Sequence, residues 1–225
     1  MKFPLFITNF KSYPQATGAA AVELVRAHEV VAKEFPDISV VCSVSAYDIA
    51  ACNDVADSVI IAAQHTDTNP KKTSSSVGFQ LPVLAKNSGA QMTILNHSAH
   101  RLDSETIVAH VQSAQEVGFS VVLCAESVDE VRQFTAYNPD AIAYEPPELI
   151  GSSDTSVSRS QPDIIKKAVD AAGNIPLLVG AGVSTAEDIT IAMQLGAQGF
   201  LVASVVVKAE NPEEKLRELI KKDSR

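Results

Sequence analysis

The chain has 225 residues, 46% of them hydrophobic and 20% charged, with a formal net charge of −9. That length allows a sizeable core in one α/β barrel or two small domains, and the acidic balance argues against nucleic acid or an anionic membrane as partner. Cys42, Cys52 and Cys124 form no C-x-x-C pair, so no disulfide framework or zinc site is expected; the polar turn of MKFPLFITNF and the lack of a spanning apolar run point to a cytoplasmic protein. In chain order, LFIT (5 to 8) reads as a buried strand that ends in Thr8, Asn9, Phe10 and Lys11. A helix follows in AAAVELVRAHEVVAKEF, with Val22, Val25, Val30 and Val31 near one face. ISVVC (38 to 42) and VIIAA (59 to 63) are the next strands, and the long segment HTDTNPKKTSSSVGF follows the second. MTIL (92 to 95) exits into LNHSAHR, with His97 at the strand end. The helix after it starts at about Ser104, sets Ile107, Val108, Val111 and Ala114 on one face and stops at Gly118.

SVVLC (120 to 124) and AIAY (141 to 144) continue the series. The latter runs straight into Glu145, where Pro146 has no amide proton to extend a ladder. Pro147 biases Pro146 toward an extended conformation, which stiffens the start of ELIGSSDTSVS, a stretch whose glycine and serines suggest a mobile segment. LLVG (177 to 180) turns through GAGVS into STAEDITIAMQLGA, a helix capped by Ser184 or Thr185, with carboxylates in its first turn and a glycine stop. GFLVA (199 to 203) closes the set and enters SVV.

The apolar runs are continuous rather than alternating, as in parallel strands covered on both faces. Eight strand and helix units permit a closed (β/α)8 barrel or an open doubly wound sheet. The open sheet usually binds a dinucleotide through G-x-G-x-x-G after its first strand, and NFKSYPQATG lacks that pattern. A barrel is therefore favoured. No linker or low-complexity tract divides the chain, so residues 1–225 are expected to form a single barrel domain, with its working face at the C-terminal rim of the strands.

Each rim residue has an ordinary structural explanation. Lysines snorkel, lone histidines are mostly structural, and prolines end strands. Together, Lys11, His97, Glu145 and two amide-rich turns at GAGVS and VASVV make a coherent site. A carboxylate takes a proton beside a carbonyl, an imidazole polarises or relays at the oxygens, a cation stabilises the enediolate, and free amides hold a phosphate.

NFKSY, NHS followed by Arg101, AYEPPELIG, and GAGVSTAEDI through GFLVAS occur in an order and spacing that resembles triosephosphate isomerase in its compact archaeal form, from about Phe6 to Lys208. The resemblance implies a TIM barrel that interconverts dihydroxyacetone phosphate and D-glyceraldehyde 3-phosphate in glycolysis and gluconeogenesis, with no cofactor and no metal. It makes Glu145 the base, His97 the electrophile, and Asn9 with Lys11 the contact to the substrate's oxygens. It assigns Ile150 and Gly151 to a phosphate-gripping lid, and Gly182, Ala203 and Ser204 to backbone contacts with the phosphate. It also implies a homodimer or homotetramer, with the long segment after the third strand as the contact.

The departures from the family are specific. Ala99 stands where the family has a glutamate, and His100 follows it. Lys11 thus lacks its usual carboxylate: either Glu126, at the exit of the fifth strand, takes over or the site works with a looser lysine. The lid reads Gly151, Ser152, Ser153 instead of Gly-Thr-Gly, Val205 replaces a glycine, and Val77 with Gly78 replaces a Thr-Gly tip. Two alternatives stand beside the isomerase: a catalytically weakened phosphometabolite-binding barrel, motivated by Ala99, and another phosphate-binding barrel enzyme such as a lyase. The joint occurrence of Asn9, Lys11, His97 and Glu145 argues against the lyase.

Overall fold

Each of the eight apolar runs forms a strand, with ends within two residues of the expected ones: β1 Leu5–Asn9, β2 Ser39–Val44, β3 Ile60–Ala63, β4 Met92–Leu95, β5 Ser120–Ala125, β6 Ala141–Tyr144, β7 Leu177–Val179 and β8 Gly199–Val202. The structure is a computed structural model that describes residues 2–68, 75, 77–146 and 162–221. Neighbouring strands pair in parallel, and β8 returns to β1 with Leu5 opposite Gly199, which closes an eight-stranded barrel.

Closure explains why the runs are apolar throughout. Successive side chains on a strand point to opposite faces, and in this barrel both faces are covered. Leu5, Ile7, Val41, Ala62, Met92, Ile94, Val122, Cys124, Ala141, Ala143, Leu178 and Leu201 fill the interior. Their neighbours, among them Phe6, Val40, Val121, Ile142 and Phe200, pack outward against the helices.

The helices are α1 Ala19–Glu34, α2 Ile49–Asn53, α3 Pro82–Asn87, α4 Ser104–Glu116, α5 Val128–Phe134, α6 Pro162–Ala172, α7 Ala186–Gln194, α8 Ser204–Val207 and α9 Pro212–Ile220. In α1 the buried stripe runs through Ala21, Leu24, Val25, His28, Val31 and Ala32. Val30 does not belong to it and is 44% exposed, because at about 100° per residue it points away from a stripe set by positions 24, 28 and 31. His28 is fully buried in that stripe, with Nδ1 2.7 Å from the carbonyl of Leu24 and Nε2 2.8 Å from the Thr8 hydroxyl. The α7 cap resolves to Thr185, whose hydroxyl accepts the Asp188 amide while Asp188 accepts the Thr185 amide. Among the described residues no helix is long and apolar enough to cross a membrane.

Candidate active site

The alternation that fills the barrel also supplies its rim. On β1, Leu5 and Ile7 point inward, so Asn9 does too; on β6, Ala141 and Ala143 carry the inward direction to Glu145. Both polar side chains are nearly as buried as the core, Asn9 at 5% and Glu145 at 6% exposure. The last rung at Glu145 is its amide, which donates to the Ala125 carbonyl at 2.8 Å. Pro146 then ends the ladder, as expected.

Room for the carboxylate comes from β7. The Gly180 amide donates to the Tyr144 carbonyl at 2.9 Å, which brings the two backbones together. A Cβ at position 180 would lie 2.5 Å from Cγ of Glu145. Only glycine leaves the Glu145 side chain its present path.

Lys11 takes a left-handed backbone conformation with φ 48°, which is uncommon outside glycine and needs support. Two side chains give it: Oδ1 of Asn9 accepts the Lys11 amide at 2.9 Å, and Nε2 of Gln64 donates to the Lys11 carbonyl at 2.8 Å. Gln64 therefore braces the turn from the exit of β3.

His97 sits at the exit of β4, and its Nδ1 accepts the backbone amide of Ala99 at 3.1 Å. A neutral imidazole carries one N–H, so its proton is on Nε2. That atom lies 3.9 Å from Oε1 of Glu145. Burial, helped by the nearby Lys11 ammonium, lowers the His97 pKa to about 4. Burial pushes the Glu145 pKa up to about 7, against the opposing pull of the Cys124 thiol, Lys11 and Arg101. The contact is thus a carboxyl group beside a neutral ring, not an ion pair.

These groups line a cavity of about 290 Å³. Asn9, Lys11, Tyr13, His97 and Glu145 form one part of its wall, and the backbone-rich turns 180–184 and 201–205 form the other. Gly182 turns with φ 65°, a conformation that costs glycine little. Ala203 is the N-cap of α8 and Ser204 its first residue, so the Ser204 and Val205 amides have no intrahelical partner. A ring of side chains suited to a carbonyl thus faces two turns suited to an anion.

The sequence description of one family, triosephosphate isomerase, matches residues 4–222. The triosephosphate isomerase of Saccharolobus solfataricus is 37% identical over 223 residues, covering 98% of this chain and 96% of its own. That of Methanobacterium bryantii is 35% identical over 224 residues, covering 97% and 96%. The chain belongs to the triosephosphate isomerase family. The crystal structure of triosephosphate isomerase from Bartonella henselae shares its fold, with a TM-score of 0.71 at 19% identity over 97% of this chain and 99% of that one.

Within this triosephosphate isomerase barrel, Asn9, Lys11, His97, Glu145, Gly182, Ala203 and Ser204 all line the one cavity. Ile150 and Gly151 lie outside the described residues, as do Ser152 and Ser153. Glu126 lies 3.7 Å from Arg101, which also pairs with Glu130, and among the described residues no ion pair joins Glu126 to Lys11. The Lys11 charge also acts on Glu145, opposing the rise that burial gives its pKa. Sequence reasoning missed Tyr13, Gln64, Cys124 and Gly180. Of these only Gly180 carried a local signal, a glycine at a strand end facing the candidate base's strand.

Proposed function

We propose that this chain interconverts dihydroxyacetone phosphate and D-glyceraldehyde 3-phosphate through an enediolate, using its own side chains alone, as a step of glycolysis and gluconeogenesis in the cytoplasm. The observation that carries this reading is the pairing of Glu145, with its pKa near 7, and His97, neutral with its Nε2–H turned toward Glu145, over one cavity. In this reading Glu145 takes a proton from the carbon beside the carbonyl and returns it to the adjacent carbon. A base with pKa near the working pH suits both directions, because it neither holds the proton too tightly nor fails to accept it. His97 donates its Nε2 hydrogen bond to the oxygen that gains charge, and Lys11, with Asn9 holding its amide, stabilises the enediolate electrostatically. Gly182, Ala203 and Ser204 hold the phosphate through backbone amides.

An isomerase assay on the purified protein, run beside Glu145→Gln and Glu145→Asp, tests this. Removing the base should lower turnover on the order of a thousandfold. Shortening it by one carbon should cost on the order of a hundredfold with little change in KM. Wild-type turnover no higher than that of Glu145→Gln would leave only phosphometabolite binding.

We further propose that the chain self-associates as a homodimer or homotetramer. The support is an apolar surface around a cavity of about 210 Å³ lined in part by Tyr47, Phe79 and Leu84, with Tyr47 at 95% and Leu84 at 53% exposure.

A further inference from the structure

The loop that carries His97 is closed at its neck by one side chain. Asn96 precedes the histidine, is buried to 1% exposure and adopts a left-handed conformation with φ 59°. Asparagine tolerates that conformation better than most residues, but glycine would serve a simple turn as well. What glycine lacks is the amide. Asn96 Oδ1 accepts the backbone amide of Leu102 at 2.9 Å, which draws the two ends of the segment 96–102 together. Its Nδ2 donates to the carbonyl of Cys124 on β5 at 2.9 Å. The Asn96 carbonyl takes a third bond, from the Arg101 guanidinium at 3.5 Å.

Inside this neck the His100 amide donates to the His97 carbonyl at 2.7 Å, and the Ala99 amide donates to His97 Nδ1. The amide that decides which ring nitrogen of His97 bears the proton therefore belongs to the segment that Asn96 closes. The tie to β5 also matters, because the Cys124 thiol lies near enough to the Glu145 carboxylate to oppose the rise in its pKa. One amide thus spans the exits of β4 and β5 and sets the strand bearing His97 against the strand that neighbours Glu145.

We infer that Asn96 is a positioning residue for the isomerisation: its side-chain amide fixes the orientation and tautomer of His97 relative to Glu145. This rests on the reading of His97 and Glu145 given above. The bond to Cys124 is buried and the bond to Leu102 partly buried, so losing either leaves a carbonyl or an amide unpaired where water reaches less freely than at the surface. The loop would relax to repair the loss and carry the ring with it. Misplacement of a catalytic group by about 1 Å costs on the order of a hundredfold in rate.

The test separates backbone from side chain. Asn96→Gly keeps the left-handed turn at no steric cost and deletes the amide. Asn96→Asp keeps an acceptor for Leu102 but turns the donor facing Cys124 into an oxygen. Each is assayed at a temperature where circular dichroism shows it fully folded, and ¹⁵N-edited spectra of the imidazoles are recorded. The expected result is that kcat falls at least about tenfold in both, with KM within about twofold. The His97 signals should leave the pattern of a single Nε2–H tautomer in Asn96→Gly. If Asn96→Asp fails to fold, Asn96→Gly decides alone. A glycine variant with wild-type kcat and an unchanged His97 spectrum overturns the inference, since the turn alone would then suffice. An equal fall in kcat for variants whose His97 spectrum is unchanged also overturns it. Wild-type turnover and the loss in Glu145→Gln are measured in the same series, so failure of the isomerase reading would show there first.

Discussion

Glu145 is under two opposing demands at once. Burial raises its pKa from 4.5 to about 7, which suits a proton carrier but makes the ionised side chain costly in the empty site. The unfolded chain ionises this group from about pH 4.5 upward, whereas the native chain resists until about 7. The native state is therefore penalised progressively over that window, by about 3 kcal/mol above it. Glu145→Gln removes the titration, so denaturant unfolding at pH 8 should find this inactive variant more stable than wild type by up to about that amount, and the gain should shrink below about 1 kcal/mol by pH 5. A stability difference independent of pH would show that Glu145 is not held with a raised pKa. In the active protein, kcat/KM should fall with unit slope as pH drops below about 7, reporting the same group in the free enzyme. Asn9, Lys11, His97 and Glu145 were legible because each is a polar residue at the end of an apolar strand. The tautomer of His97 was not, because it depends on the Ala99 amide, and the sequence draws attention to position 99 only as a missing carboxylate.

At the scale of elements, the site depends on how closely β6 and β7 approach. Their backbones are joined by the bond from the Gly180 amide to the Tyr144 carbonyl, and Glu145 occupies the space a Cβ on residue 180 would need. Gly180→Ala should leave the barrel folded, because the clash falls on a side chain rather than on backbone. It should also turn the carboxylate away from His97. Turnover is expected to fall by on the order of tenfold to a hundredfold, with KM little changed, in steady-state assays. Turnover within twofold of wild type would mean that Glu145 has another productive rotamer. Element positions were readable because parallel strands buried on both faces leave uninterrupted apolar runs, and because glycine or proline ends them. Contacts between elements were not: Gln64 stands 53 residues from the Lys11 carbonyl it braces, and nothing local in either stretch announces the bond. Val30 was misassigned for a related reason, since a stripe drawn through valines alone overlooked Leu24 and the buried His28.

For the whole molecule, a net charge of −9 opposes an anionic substrate, so attraction has to be local, from Lys11 and the amides of two turns. The same barrel carries two histidines, His28 and His97, with pKa lowered to about 4, chiefly by burial. The unfolded chain protonates them below about 6.5 while the native chain stays neutral until about 4. Acid therefore withdraws stability across that window, by about 3 kcal/mol for each when fully expressed. The proposed self-association belongs to this scale too. Tyr47 on the β2 side, Phe79 before α3 and Leu84 within it surround one apolar hollow, a surface that a second copy of the chain would remove from water. That hollow also includes His65, the residue after Gln64, so a partner seated there would steady the brace on Lys11. Tyr47→Asp with Leu84→Glu places charge on both sides of the hollow without touching the catalytic cavity. Sedimentation velocity at micromolar concentration should find the wild type as a dimer or tetramer and this variant as a monomer, with a fall in turnover that lowering the temperature does not restore. A wild type that sediments as a monomer, with specific activity constant on dilution, would show that the hollow serves no second copy and that Gln64 holds Lys11 unaided.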